Sequence, residues 1–132
     1  MKARMNKKWH FVVALSAFVG LAASSSQGPQ LNRVMRQKLD RAQKILEGVV
    51  TSNWVSLEMN SRELEQLTND PGWIVLKSPE YAQQSAAFVR AVQDLRRAAA
   101  QRDLEKTPQA YVAVTLRCVD CHRYIARARL AR

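Results

Sequence analysis

The chain has 132 residues, 47% of them hydrophobic and 7% aromatic, with 21 Lys+Arg against 11 Asp+Glu and a formal charge of +10. That length fits one domain of ordinary size, and the apolar fraction together with only 4 Gly and 4 Pro excludes disordered, collagen-like and low-complexity chains. Two cysteines are too few for a dense disulfide framework, and no GxxxxGK[ST] or GxGxxG loop occurs, which sets nucleotide-driven enzymes aside.

Residues 1–10 hold Lys2, Arg4, Lys7 and Lys8 and no acid, and Phe11 to Ala23 then run without a charge. A cationic stretch, a short apolar stretch and the small residues Ala22-Ala23-Ser24-Ser25-Ser26 predict a secretory signal over residues 1–26, cleaved between positions 23 and 26. The competing reading is an uncleaved anchor. Thirteen helical residues reach only about 20 Å, short of a hydrocarbon core of about 30 Å, so no stable membrane anchor is expected. The segment has no cysteine, which excludes a lipoprotein anchor. Cleavage removes four positive charges and no negative ones, taking +10 to +6, and leaves His122 as the one histidine of residues 27–132.

Four amphipathic helices are expected in that single domain. The first runs from about Leu31 to Val50, with Leu31, Met35, Ala42, Ile45 and Val49 on one face and Val34 and Leu46 beside it. The second runs from about Trp54 to Thr68, with Leu57, Leu64 and Leu67 in phase. Asn60-Ser61-Arg62-Glu63 inside it reads as a capping box that divides it into two pieces. Asn69-Asp70-Pro71-Gly72 is a turn, and Trp73-Ile74-Val75-Leu76 reads as an apolar loop over the bundle end.

The third helix opens at Ser78-Pro79-Glu80, a cap, a first-turn proline and an acid. Tyr81, Ser85, Phe88, Val92, Leu95 and Ala99 follow at spacings of three and four. The fourth is expected to open the same way at Thr107-Pro108-Gln109, with Tyr111, Val114, Cys118, Cys121 and Ile125 on one stripe. Short connections make neighbours antiparallel. The expected fold is an all-α, up-down-up-down four-helix bundle.

One motif carries chemistry: Cys118-Val119-Asp120-Cys121-His122, a C-x-x-C-H. This is the pattern of covalent haem c attachment, in which two thiols add across the two haem vinyl groups and the adjacent imidazole ligates iron. Thioredoxin-type redox chemistry needs a βαβ setting, and zinc needs a fourth ligand where no further Cys or His remains in residues 27–132. A plain disulfide leaves the position of the lone histidine unexplained.

With C-x-x-C-H in the last helix and ten residues after it, the chain resembles the class II c-type cytochromes, of which cytochrome c-prime is the type. The resemblance implies an exported bundle with one haem c packed at one end, Cys118 and Cys121 as thioethers and His122 as the proximal ligand. It also implies a first-helix residue over the distal face, which falls at about Met35. Elimination points the same way. No second histidine remains, Met59 has polar neighbours, and a lysine ligand needs a costly buried, neutralised amine. Core packing is the alternative role for Met35.

Arg33 and Arg36 flank Met35 and are candidate haem-propionate contacts, or else solvated surface charges. Arg117, Arg123, Arg127, Arg129 and Arg132 make the last helix basic, which suits an acidic redox partner met through charge steering. No nucleic-acid motif occurs. The expectation is a periplasmic one-electron carrier and not an enzyme. Binding of NO or CO at a five-coordinate haem is the alternative, and a haem-free interaction bundle is a third reading. A homodimer is an assembly that the resemblance allows.

Overall fold

The structure, a computed structural model, describes residues 27–131. The expected signal segment, residues 1–26, lies outside them. Four α-helices form the frame: α1 (Gln27–Thr51), α2 (Trp54–Gln66), α3 (Pro79–Ala100) and α4 (Lys106–Leu130). Two 3-10 turns, Leu67–Asn69 and Pro71–Trp73, lie between α2 and α3, and no strand occurs among the described residues. The molecule is all-α, as expected.

The order of packing follows the chain. α1 packs on α2, α2 on α3 and α3 on α4, while α4 returns to α1 across a much thinner contact. Val34 and Ile45 of α1, Leu57 and Leu64 of α2, Phe88, Val92 and Leu95 of α3, and Val114 of α4 meet in one core. The segment after Pro71 closes one end. Trp73 is buried there, its indole N–H donating to Ser85 Oγ at 3.0 Å, and its ring lies 5.3 Å from that of Phe88. A Cβ on Gly72 would sit 3.1 Å from both Gln30 O and Val34 Cγ2, so glycine permits this segment to press against α1.

The α3 start is as the sequence implies: Ser78 Oγ accepts from the Tyr81 N–H at 3.1 Å, ahead of Pro79 and Glu80. Three details differ. First, α2 is not divided at Asn60. The Asn60 amide donates back to Ser56 O at 2.8 Å and Ser61 Oγ donates back to Leu57 O at 2.6 Å, so neither caps a new turn. Asn53 is the cap instead, accepting from the Ser56 N–H at 3.1 Å.

Second, α4 starts before Thr107. The Asp103 carboxylate takes the N–H groups of Glu105 and Lys106 at 3.0 and 2.8 Å, and Thr107 falls inside the first turn, buried. Third, the buried line of α1 is Val34, Lys38 and Ile45. Leu31, Met35, Ala42 and Val49 sit half-buried beside it and Leu46 is exposed. The side that α2 and the Pro71–Trp73 turn cover is rotated from the face that simple apolar spacing selects.

Two interhelix turns place non-glycine residues in the left-handed region, Ser52 at φ 53° and Arg102 at φ 52°. There the Asn53 and Asp103 N–H groups close the preceding helices on Gly48 O and Ala98 O at 2.9 and 3.1 Å. A Cβ at such a position costs about 1–2 kcal/mol, partly offset by glycine's larger unfolded-state entropy. Ser52→Gly and Arg102→Gly should each therefore raise unfolding free energy by about 0.5–1 kcal/mol in urea titrations. A loss of stability in both would show that the side chains, not the backbone angle, dominate.

Glu65 joins α2 to α3. It accepts from Gln93 Nε2 at 2.8 Å and pairs with Arg96, and those contacts hold its carboxyl below the usual carboxylate range. A depressed carboxyl contributes stability above its unfolded value, and that contribution is lost as pH falls through the carboxylate range. Glu65→Gln should cost about 1–2 kcal/mol at neutral pH and flatten the acid limb of the stability–pH curve. An unchanged acid limb would exclude this pair as a source of acid sensitivity.

Candidate functional site

The second half of α4 carries Cys118, Cys121 and His122. A spacing of three puts both thiols on one helix face, and both are half-buried and free. Tyr124, one turn onward, shares a 2.8 Å hydrogen bond with Ser78 Oγ, and Tyr111, two turns before, donates to Ala42 O at 3.1 Å. These two phenols tie α4 to the start of α3 and to the middle of α1. The intervening stretch therefore faces α1 in a set register.

Between α1 and α4 lie two cavities, of about 470 and 310 Å³, within the size range of small-molecule sites. Met35, Lys38, Asn32 and His122 line both. Cys118 and Leu39 line the larger, and Cys121, Trp73 and Tyr81 line the smaller. His122 and Met35 thus stand on opposite walls, with one cysteine in each cavity. The sequence-expected group is brought together here from two helices that are distant in the chain.

Electrostatics follow from partial desolvation. Burial pushes the Cys121 thiol up, with the Lys38 charge acting against it, so the group stays protonated at neutral pH. Partial desolvation and then the Lys38 charge hold His122, which is exposed on the α4 surface, below the usual histidine value. Met59, by contrast, is exposed on α2 and lines neither cavity.

The arginines separate. Arg33 is exposed, pairs with Asp70 at 2.8 Å and lines neither cavity. Arg36 lines the larger cavity, and Arg129, expected only as part of the basic last helix, lines the smaller.

Lys38 is the residue that sequence reasoning missed. Its residue exposure is 7%, and its Nζ lies 4.1 Å from the Phe88 ring centroid and 4.4 Å from that of Trp73. No carboxylate of the described residues is within ion-pair reach of it. The ring faces attract the ammonium but do not neutralise it. Its signal was available in the helical phase, since Lys38 follows Val34 by four and precedes Ile45 by seven.

Comparison with known proteins adds nothing to this geometry: no family model, no curated protein and no solved structure matches the chain.

The residues fit a haem. Paired thiols, one in each of two largely apolar cavities, flank the imidazole and thioether that line both, and a buried ammonium with no carboxylate partner there suits a group that carries carboxylates.

Burial pushes the Lys38 amine below the usual lysine value. Between its folded and unfolded values the unfolded chain binds more protons, so this group makes stability rise with pH there. In the chain free of cofactor, Lys38→Leu should raise unfolding free energy by about 1–3 kcal/mol at pH 7. The gap should shrink as pH approaches the ordinary lysine range. A destabilised Lys38→Leu chain would show that the ring contacts outweigh the desolvation.

Proposed function

We propose that the chain is an exported, periplasmic monohaem c-type cytochrome of class II type that carries single electrons. Its helices would run up-down-up-down, with the haem seated between α1 and α4. The observation that carries this reading is the C-x-x-C-H turn of α4 facing Met35 and Lys38 of α1 across shared cavities.

In this reading Cys118 and Cys121 would hold the haem through two thioether bonds, an addition of thiol to vinyl that consumes no oxidant. When bound, the haem iron supplies a one-electron couple. His122, kept neutral by desolvation, offers its lone pair as the proximal ligand. Met35, which lines both cavities, would hold the iron through its thioether, a ligand type that raises the potential. Leu39, Ala42 and Leu64 wall the larger cavity with apolar surface, and so limit water there.

Arg123, Arg127 and Arg129 are exposed on the last turns of α4. They give the site's rim a positive field suited to transient contact with an acidic redox partner. The proposed work is binding and electron transfer, not catalysis.

The purified periplasmic protein should keep its haem through denaturation and acid-acetone extraction, and Cys118→Ala with Cys121→Ala should lose it. Complete extraction from the parent would sink the reading. The parent should also be low-spin with a sulfur-to-iron charge-transfer band, and Met35→Ala should become high-spin and bind CO more readily. A parent already high-spin and five-coordinate would overturn electron carriage in favour of NO or CO binding.

A further inference from the structure

We propose that Lys38 is the buried counter-ion of a haem carboxylate, a positioning residue that fixes how the cofactor sits between α1 and α4. The inference rests on the haem reading above and goes beyond it, because neither the motif nor the resemblance assigns Lys38 any role.

Three observations carry it. Lys38 is buried at 7% exposure with no carboxylate of the described residues in reach. It lines both cavities, together with Met35 and His122. And its Nζ is held over the Phe88 and Trp73 faces, at 4.1 and 4.4 Å, on the core side of the space rather than turned out to solvent.

A buried cation is tolerated when an anion meets it, and the two are then worth more to each other than a solvated pair. The haem carries two carboxylates and the lining of both cavities carries none. Arg33 does not compete for the role, since Asp70 already holds it. Arg36 and Arg129 stand at the rim, where a second carboxylate stays hydrated.

Ligation of iron by Lys38 is disfavoured by the same contacts. The amine would have to leave two ring faces that attract it as a cation. Paired with a haem carboxylate, it would instead offset that carboxylate's stabilisation of the oxidised state, favouring reduction.

The test uses the full haem-loaded chain and three variants: Lys38→Leu, Lys38→Arg and, as a control, Arg33→Leu. A pyridine spectrum of denatured parent comes first. Absence of covalent haem there overturns the functional reading, and this inference with it, before Lys38 is probed. With haem present, resonance Raman should show the propionate bending band shifted in Lys38→Leu, restored towards the parent position in Lys38→Arg and unmoved in Arg33→Leu.

Lys38→Leu should also lower the equilibrium constant for reduction by up to about tenfold, which is about 59 mV for one electron. A propionate band and potential unchanged in Lys38→Leu would overturn the inference. So would loss of the low-spin spectrum in Lys38→Leu with its retention in Met35→Ala, because that places the amine on iron.

Discussion

One seam of this bundle is left open, and the rest of the structure depends on it. Between α1 and α2, α2 and α3, and α3 and α4, fully buried side chains such as Ile45, Leu57, Leu64, Phe88 and Leu95 close the gaps. Between α1 and α4 they do not. Tyr111 reaches across to Ala42 O, and beyond that bond the helices part around Met35, Lys38, Cys118 and His122. Leu39 stays 60% exposed at the edge of the gap. Packed interiors normally leave few voids larger than a water molecule, so this gap and its lining mark the candidate site. The tight seams are what make it affordable: they hold α1 and α4 in place when neither holds the other closely.

The charges inside and around the gap form one consistent set. Partial desolvation disfavours the charged forms there, raising the Cys121 thiol and lowering the His122 imidazole from their ordinary values. A neutral imidazole has a lone pair for a metal, whereas a protonated thiol must first lose its proton to act as a nucleophile. Lys38 strengthens the effect on His122, because a second cation beside it is unfavourable. Outside, acids are drawn away from the gap into pairs on other faces: Glu63 with Arg41 at 2.9 Å, Glu58 with Arg62 at 2.8 Å, and Asp70 with Arg33. The rim at Arg36 and Arg129 remains positive.

Much of this was legible in the sequence where the signal is local. The Ser78-Pro79-Glu80 start works because serine, proline and acid each satisfy a separate requirement of a first turn. The same logic failed at Thr107, since Asp103 lies four residues upstream and its ionised carboxylate takes the orphan N–H groups first. Asn60 and Ser61 carry a cap-like pattern yet bond backwards along α2, a choice that depends on continued helix beyond them. The C-x-x-C-H turn was readable because its spacing is itself the chemistry. The pairing of that turn with α1 was not, because it comes from which face α2 and Trp73 leave uncovered.

The argument about the first-helix ligand shows where counting residues reaches its end. Elimination favoured Met35 partly because burying a lysine amine is costly, but α1 buries Lys38 anyway. Cost alone therefore no longer separates the two residues, which lie one helical turn apart and line the same cavities. What separates them is the partner each already has. Lys38 already lies over the Phe88 and Trp73 rings, which attract its ammonium and hold it towards the core. Met35 has no such claim on it, and its soft sulfur needs no proton removed before it can bind a metal. In the proposed haem reading, the aromatic pair thus favours the thioether for the metal and the ammonium for a carboxylate, a division that rests on tertiary packing between α3, the Trp73 turn and α1.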